Sequence, residues 1–354
     1  MIAKALPVAL LAGAASAACP LSVEITDSAA HVVNVSVTNT GSEAVSVFKG
    51  NTVFSDHATK DLLVSAEGQA LPFEGIFVKY KNTNLPASVF QTIEAGQTIT
   101  VPVNAAKSYK LSNVSKAKVS AVQGFLYATG STPSSLKDLA LCEDATSNEV
   151  EVTVDQTVAA EQHISHKRSE PLLNSRIQKR SITYSSCSTS QTSSLKTSVS
   201  DAISMASAAY TAAASAADYF TTWFKTTSNE SKVRTIYNDV ANVQTTSPKI
   251  SCTDTYSDCT DGSALLYTVP SYNTIVPCPN NGFWDFPELA PQCSGDDYDR
   301  AGSILHEMTH LYGTDDWGYG PSAAQALSAT KAAQNADTYE MYAESVRLGG
   351  CTTG

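Results

Sequence analysis

The first part of the chain alternates apolar and polar residues. In His31-Val32-Val33-Asn34-Val35-Ser36-Val37 the two kinds largely trade places in steps of two, and Asn39-Thr40-Gly41 then supplies a turn. Ala44-Val45-Ser46-Val47-Phe48, Thr98-Ile99-Thr100-Val101-Pro102-Val103 and Glu149-Val150-Glu151-Val152-Thr153-Val154 repeat the pattern. Period-two runs separated by turn residues predict an antiparallel sheet, arranged as a small sandwich. Near residue 180 the pattern changes. Ser194 to Lys225 is rich in Ala, Ser and Thr, with Leu195, Val199, Ile203 and Met205 near helical spacing, and Ser231 to Val243 is a second helical candidate. Between Lys249 and Cys278, runs such as Ala264-Leu265-Leu266-Tyr267-Thr268-Val269 predict a hairpin or small sheet. Helices resume near Asp297, and one long final helix is expected from about Ser322 to Leu348. The fold class is α+β: a β-rich, sandwich-like part followed by a mainly α-helical domain with a small β-sheet.

Length and charge bound this picture without deciding it. A chain of 354 residues suggests two domains, or one large one, and a net charge of -11 argues against nucleic acid as the main partner. The N-terminus reads as a signal peptide over 1–17: Lys4, an apolar stretch from Ala5 to Gly13 too short to span a membrane, then Ala15-Ser16-Ala17 as a cleavage site. A secreted, extracellular product and no membrane partner are expected. From about Glu161 to Arg180 the chain is polar and basic-rich, with the pairs Lys167-Arg168 and Lys179-Arg180. Such a linker suits a kexin-like processing protease. Cleavage after Arg180 would divide a propeptide, 18–180, from a mature domain, 181–354, beginning at Ser181. Secretion also makes the 8 cysteines expected disulfides. Cys19 and Cys142 can pair with each other, and the six after Arg180 allow about 15 connectivities. Asn34, Asn113 and Asn229 begin permissive glycosylation triplets.

The chemistry centres on His306-Glu307-Met308-Thr309-His310. Apolar neighbours on both sides make helix its natural state, and residues four apart share a helix face. Both imidazoles can then reach one Zn²⁺ per chain. Zinc lowers the pKa of a coordinated water toward neutrality, and Glu307 can take that proton and pass it to the leaving amine. A third protein ligand is needed. Gly313 can end the helix and reverse the chain, so that carboxylates of Asp315-Asp316 swing back to the metal.

His-Glu-x-x-His followed by Gly313-Thr314-Asp315-Asp316-Trp317-Gly318-Tyr319-Gly320 resembles the aspzincins, the deuterolysin family of fungal neutral zinc metalloproteases. The resemblance extends across Ser181 to Gly354 and less specifically to the first part, which it implies is a propeptide ahead of a zincin metalloprotease domain. It implies Asp316 as third ligand and Tyr319 as the hydroxyl that stabilises the oxyanion. It also implies the disulfides Cys187–Cys252, Cys259–Cys278 and Cys293–Cys351. The five residues between His310 and Asp316 are fewer than the family commonly has, which keeps Asp315 in view as ligand. In Asn335-Ala336-Asp337-Thr338-Tyr339-Glu340, the acids Asp337 and Glu340 share a helix face. They resemble the lining of the S1′ pocket in the peptidyl-lysine branch of the family, which implies basic protein or peptide substrates with Lys or Arg after the scissile bond.

The remaining histidines, His31, His57, His163 and His166, read as surface or linker residues. With both later histidines committed to zinc, no base is left there for a Ser or Cys nucleophile. The function expected is a secreted zinc metalloendopeptidase made as a zymogen. The rival is a secreted, non-catalytic zinc-binding effector with a degenerate site, and a third reading keeps the first part as a lasting adhesion module.

Overall fold

The computed structural model describes residues 19–164, 181–216, 219–292 and 299–350. The expected signal peptide, the dibasic pairs with Lys179 and Arg180, His166, and the expected Cys293–Cys351 pairing lie outside the described residues.

The alternating runs form strands. A 3-stranded antiparallel sheet has Val32–Asn39 at its centre, flanked by Leu21–Ala29 and Thr98–Asn104. A 7-stranded sheet is organised around the long strand Lys116–Thr129, which pairs with Val45–Phe48, Leu62–Ala66, Ala140–Thr146 and Val150–Thr153. Val33, Val35 and Val37 alternate inward and meet Val119, Ala121 and Phe125 in one core. A disulfide from Cys19 to Cys142 ties the first strand to the larger sheet.

The later part is mainly helical. Helix Thr189–Ala213 opens with a reciprocal capping box, Ser188 and Gln191, and buries Leu195, Val199, Ala202, Ala206 and Ala209 at spacings of three and four. That face packs with helices Glu230–Ala241, Arg300–His310 and Ala336–Leu348 around Trp223, Tyr237 and Tyr342. Cys187 pairs with Cys252 and Cys259 with Cys278.

Two expectations about elements need correction. The single long helix from Ser322 is three: Gly320–Ala326, Ala329–Ala332 and Ala336–Leu348. Leu327 and Asn335 take extended backbone angles at the breaks, and Ser328 there is held by Glu143 of the sandwich. Nor are His31, His57 and His163 surface residues, since all three are buried. His57 enters the contact between the two parts, with Nδ1 3.0 Å from Asp258 and Nε2 3.2 Å from Asp261. The amide nitrogen of Asn229 donates to Phe224 O and Ala329 O.

The small sheet joins the two parts. It has 5 strands in the order Thr183–Ser185, Lys249–Ser251, Thr274–Pro277, Ala264–Val269, Phe77–Tyr80. The last comes from the first part of the chain and runs antiparallel to Ala264–Val269, with Lys79 opposite Leu266 and Phe77 opposite Thr268.

Burial pushes the His57 imidazolium down, but the Asp258 and Asp261 carboxylates outweigh it and raise it to about 9. A raised folded-state value stabilises fully below the ordinary 6.5 and is lost as pH rises through about 9. Between pH 7 and 10 the wild-type melting temperature should therefore fall more steeply than that of His57→Gln, the difference corresponding to about 3 kcal/mol. Parallel melting curves across that range would show that His57 does not couple the two parts.

Candidate active site

Asp299 caps the helix Arg300–His310 through Gly302 N–H at 2.6 Å, and every residue from Ala301 to His310 is buried. His306 and His310, one turn apart, bring their Nε2 atoms to 3.2 Å. Gly313, at φ +91°, ends the helix in the left-handed region that a glycine tolerates. Thr314 N–H returns to Thr309 O at 3.4 Å, and the chain doubles back. Asp316 Oδ1 thereby lies 3.3 Å from both Nε2 atoms.

This short loop is held by a residue that the sequence reading passed over. Asn335 Oδ1 accepts from the N–H groups of Trp317 and Gly318, while its Nδ2 donates to Gly318 O and Thr338 Oγ1. Asp315 forms a backbone bridge with Asn335, and its carboxylate meets Lys60 at 2.7 Å. Asp316 joins the histidines, and Asp315 does not. The available signal was the position of Asn335 immediately before a predicted helix, where Asn side chains bond to nearby backbone.

The outer histidine nitrogens are also engaged. Asp337 Oδ1 lies 2.7 Å from His306 Nδ1, and Thr314 O lies 3.1 Å from His310 Nδ1. These partners favour protons on Nδ1 and leave both Nε2 lone pairs for a shared cation. Burial and the charge of Lys79 push the His306 imidazolium down, but Asp316 and Asp337 outweigh them and raise it to about 10. Burial pushes the Asp316 carboxyl up, yet the charges of His310 and His306 hold it well below the usual range. Both shifts describe a cluster that favours positive charge.

Glu307 is fully buried, and neither carboxylate oxygen has a hydrogen-bond partner among the described residues. Burial raises its pKa, against the opposing pull of His306 and His310. The Tyr319 hydroxyl is likewise buried, and burial followed by the Asp316 charge keeps it protonated far into the alkaline range. Asp337 and Glu340 stand at the wall beside His306, both fully buried.

Two groups of side chains have the composition to hold a cation: His306, His310 and Asp316, and His306, Asp337 and Glu340. The second already embraces one, the ammonium of Lys79, at 2.5 Å from Asp337 and 2.6 Å from Glu340. The first fits zinc. Ligand bonds of about 2.0–2.1 Å in a tetrahedron set its donor atoms about 3.3–3.4 Å apart. The three edges here are 3.2, 3.3 and 3.3 Å.

A family profile described as lysine-specific metallo-endopeptidase matches residues 209–344. A neutral protease 2 homolog of Phaeosphaeria nodorum is 34% identical over 98% of this chain and 99% of its own length. One from Botryotinia fuckeliana is 32% identical over 90% of this chain and 89% of its own, and one from Sclerotinia sclerotiorum 33% over 90% and 87%. The chain belongs to the aspzincin (deuterolysin) family of neutral zinc metalloproteases. The match to whole relatives takes in the β-rich first part as well as the helical one. This aspzincin therefore has relatives of similar length, although its His310–Asp316 connection is short.

Asp316→Asn should weaken zinc binding at least ~100-fold, and Asn335→Ala by ~10-fold through loss of the loop's anchor. Asp315→Asn should leave it nearly unchanged. Competition against a chromophoric chelator reads all three, and an equal loss in Asp315→Asn would assign the third ligand wrongly.

Proposed function

We propose that this aspzincin is a secreted zinc metalloendopeptidase, made as a precursor in which 1–17 is a signal peptide, 18–180 a propeptide and 181–354 the mature enzyme. The observation that carries the catalytic reading is the buried triangle of two Nε2 atoms and one carboxylate oxygen, beside a buried glutamate whose carboxylate oxygens have no hydrogen-bond partner among the described residues.

His306, His310 and Asp316 would hold the zinc, which supplies Lewis acidity at neutral pH. Glu307 takes a proton from the attacking water. A carboxyl raised by burial holds that proton more readily than an exposed one and passes it to the leaving amine nitrogen. Tyr319, kept protonated, donates to the oxyanion that develops on the peptide carbonyl. Asp337 keeps a proton on His306 Nδ1 and so orients that ligand.

The pocket formed by Asp337 and Glu340 supports a preference for Lys or Arg after the scissile bond. Both carboxylates are buried, and such a pair is stabilised by a cation. Basic proteins or peptides are the substrates this reading favours. A kexin-like protease acting after Arg180 would release the mature enzyme at Ser181.

The decisive experiment treats the full chain with a dibasic-specific protease and offers casein and a basic protein, with chelator, with zinc restored, and with Glu307→Gln. Chelator-sensitive cleavage restored by zinc is expected, and Glu307→Gln should reduce kcat ~10²–10⁴-fold while zinc content stays at one per chain. Cut sites should fall before Lys and Arg. A folded, processed, zinc-loaded protein that cleaves neither substrate would establish the non-catalytic reading instead.

A further inference from the structure

A lysine at 0% exposure is unusual, and Lys79 lies on a strand that the β-rich first part lends to the sheet of the helical part. Its side chain crosses into the wall of the candidate active site. Its ammonium sits between Asp337 and Glu340, the two acids of the pocket proposed above. Two residues earlier on the same strand face, Phe77 stacks on His310, with ring centroids 4.2 Å apart and planes within 6°. Phe77 thus touches one candidate ligand, His310, and Lys79 the two acids that stand beside another, His306. Val78 and Tyr80 point the other way, into a core shared with Phe48, Tyr267 and Tyr319.

The strand also uses the backbone as an extended peptide would. It adds antiparallel to the edge of Ala264–Val269, whose Thr268 Oγ1 donates to Glu307 O at 3.2 Å. Strand addition with side chains in alternate pockets is a general mode of peptide recognition. Around it the first part is anchored at further points. Lys60 meets Asp315, Asn51 donates to Asp316 O, and Lys331 reaches Asp144 at 2.5 Å.

We propose that Phe77–Tyr80 is a built-in pseudosubstrate, with Lys79 filling the pocket for the residue after the scissile bond and the strand closing the cleft until the first part leaves. This inference rests on the protease reading and names how the same site is kept silent. The inhibitor is a lysine side chain and a strand edge, and no residue of the first part needs to ligate the metal. Cys19 and Cys142, the two cysteines of that part, are bonded to each other.

The test uses the full, unprocessed chain as wild type, Lys79→Met and Lys79→Arg. One readout is cleavage of a quenched peptide with lysine after the cleaved bond. The other is deuterium uptake in 264–269, measured with and without zinc. Wild type should be silent and protected. Lys79→Met leaves two buried carboxylates without their cation, and should raise both cleavage and exchange at least ~10-fold. Lys79→Arg should restore most of the silence. A folded Lys79→Met chain as silent and protected as wild type would overturn the proposal. Should that variant not accumulate, wild type cut in the linker and diluted decides the matter. Activity must then rise together with exchange in 264–269, and activity with that strand still protected would be the contrary result. If processed wild type is inactive while Lys79→Met still exposes 264–269, the protease reading fails and the strand's placement stands.

Discussion

Two imidazoles and a carboxylate are held within 3.3 Å of one another in the buried interior. Such groups repel or must take up positive charge, and the surrounding structure is arranged to impose that closeness. The helix supplies the turn that stacks His310 above His306. Gly313 supplies the reversal, and Asn335 fixes the returning loop against the next helix through four hydrogen bonds. The helix Ala336–Leu348 then carries Asp337 to the back of His306. Each element is positioned by what the ligand triangle requires of its neighbours.

The pocket beside the triangle follows the same electrostatics. Burial raises the carboxyl of Glu340 to about 7, with Lys79 opposing and Asp337 adding to the rise. Asp337 is pushed up by burial too, but the Lys79 charge and His306 hold it below its usual value. The two carboxyls are thus pushed in opposite directions, Asp337 toward the ionised form beside His306 and Glu340 toward the protonated one. Removing the ammonium from between them leaves an arrangement that is stabilised by another cation or by protonation. The preference for basic side chains proposed above would have the same origin as the firm hold on Lys79, one buried carboxylate pair.

Much of this was legible in the sequence because it is local. The His-Glu-x-x-His helix, the reversal at Gly313 and the period-two strands depend on residues a few positions apart. The final helix was drawn too long because Ala-rich sequence favours helix throughout. Its breaks are set by Glu143 holding Ser328 and by the bonds of Asn335, which are contacts across the fold. His57 was misjudged for the same reason, since its carboxylates lie about 200 positions away in the chain. Lys79 was invisible: a lysine in Phe-Val-Lys-Tyr reads as the solvent-facing residue of a strand, and the partners that bury it are 258 and 261 positions distant.

The strand Ala264–Val269 has a second consequence. All six of its residues are buried, and its sequence, Ala-Leu-Leu-Tyr-Thr-Val, contains no charge and no proline. While Phe77–Tyr80 covers it, its hydrogen-bonding groups are paired. Once that strand departs, an uncharged edge of this kind is a template for pairing with any extended chain, including another copy of itself. The same backbone rail that would guide a substrate would make an enzyme released from the first part prone to self-association at high concentration. On the processing proposed above, the first part of the chain would confer solubility as well as silence.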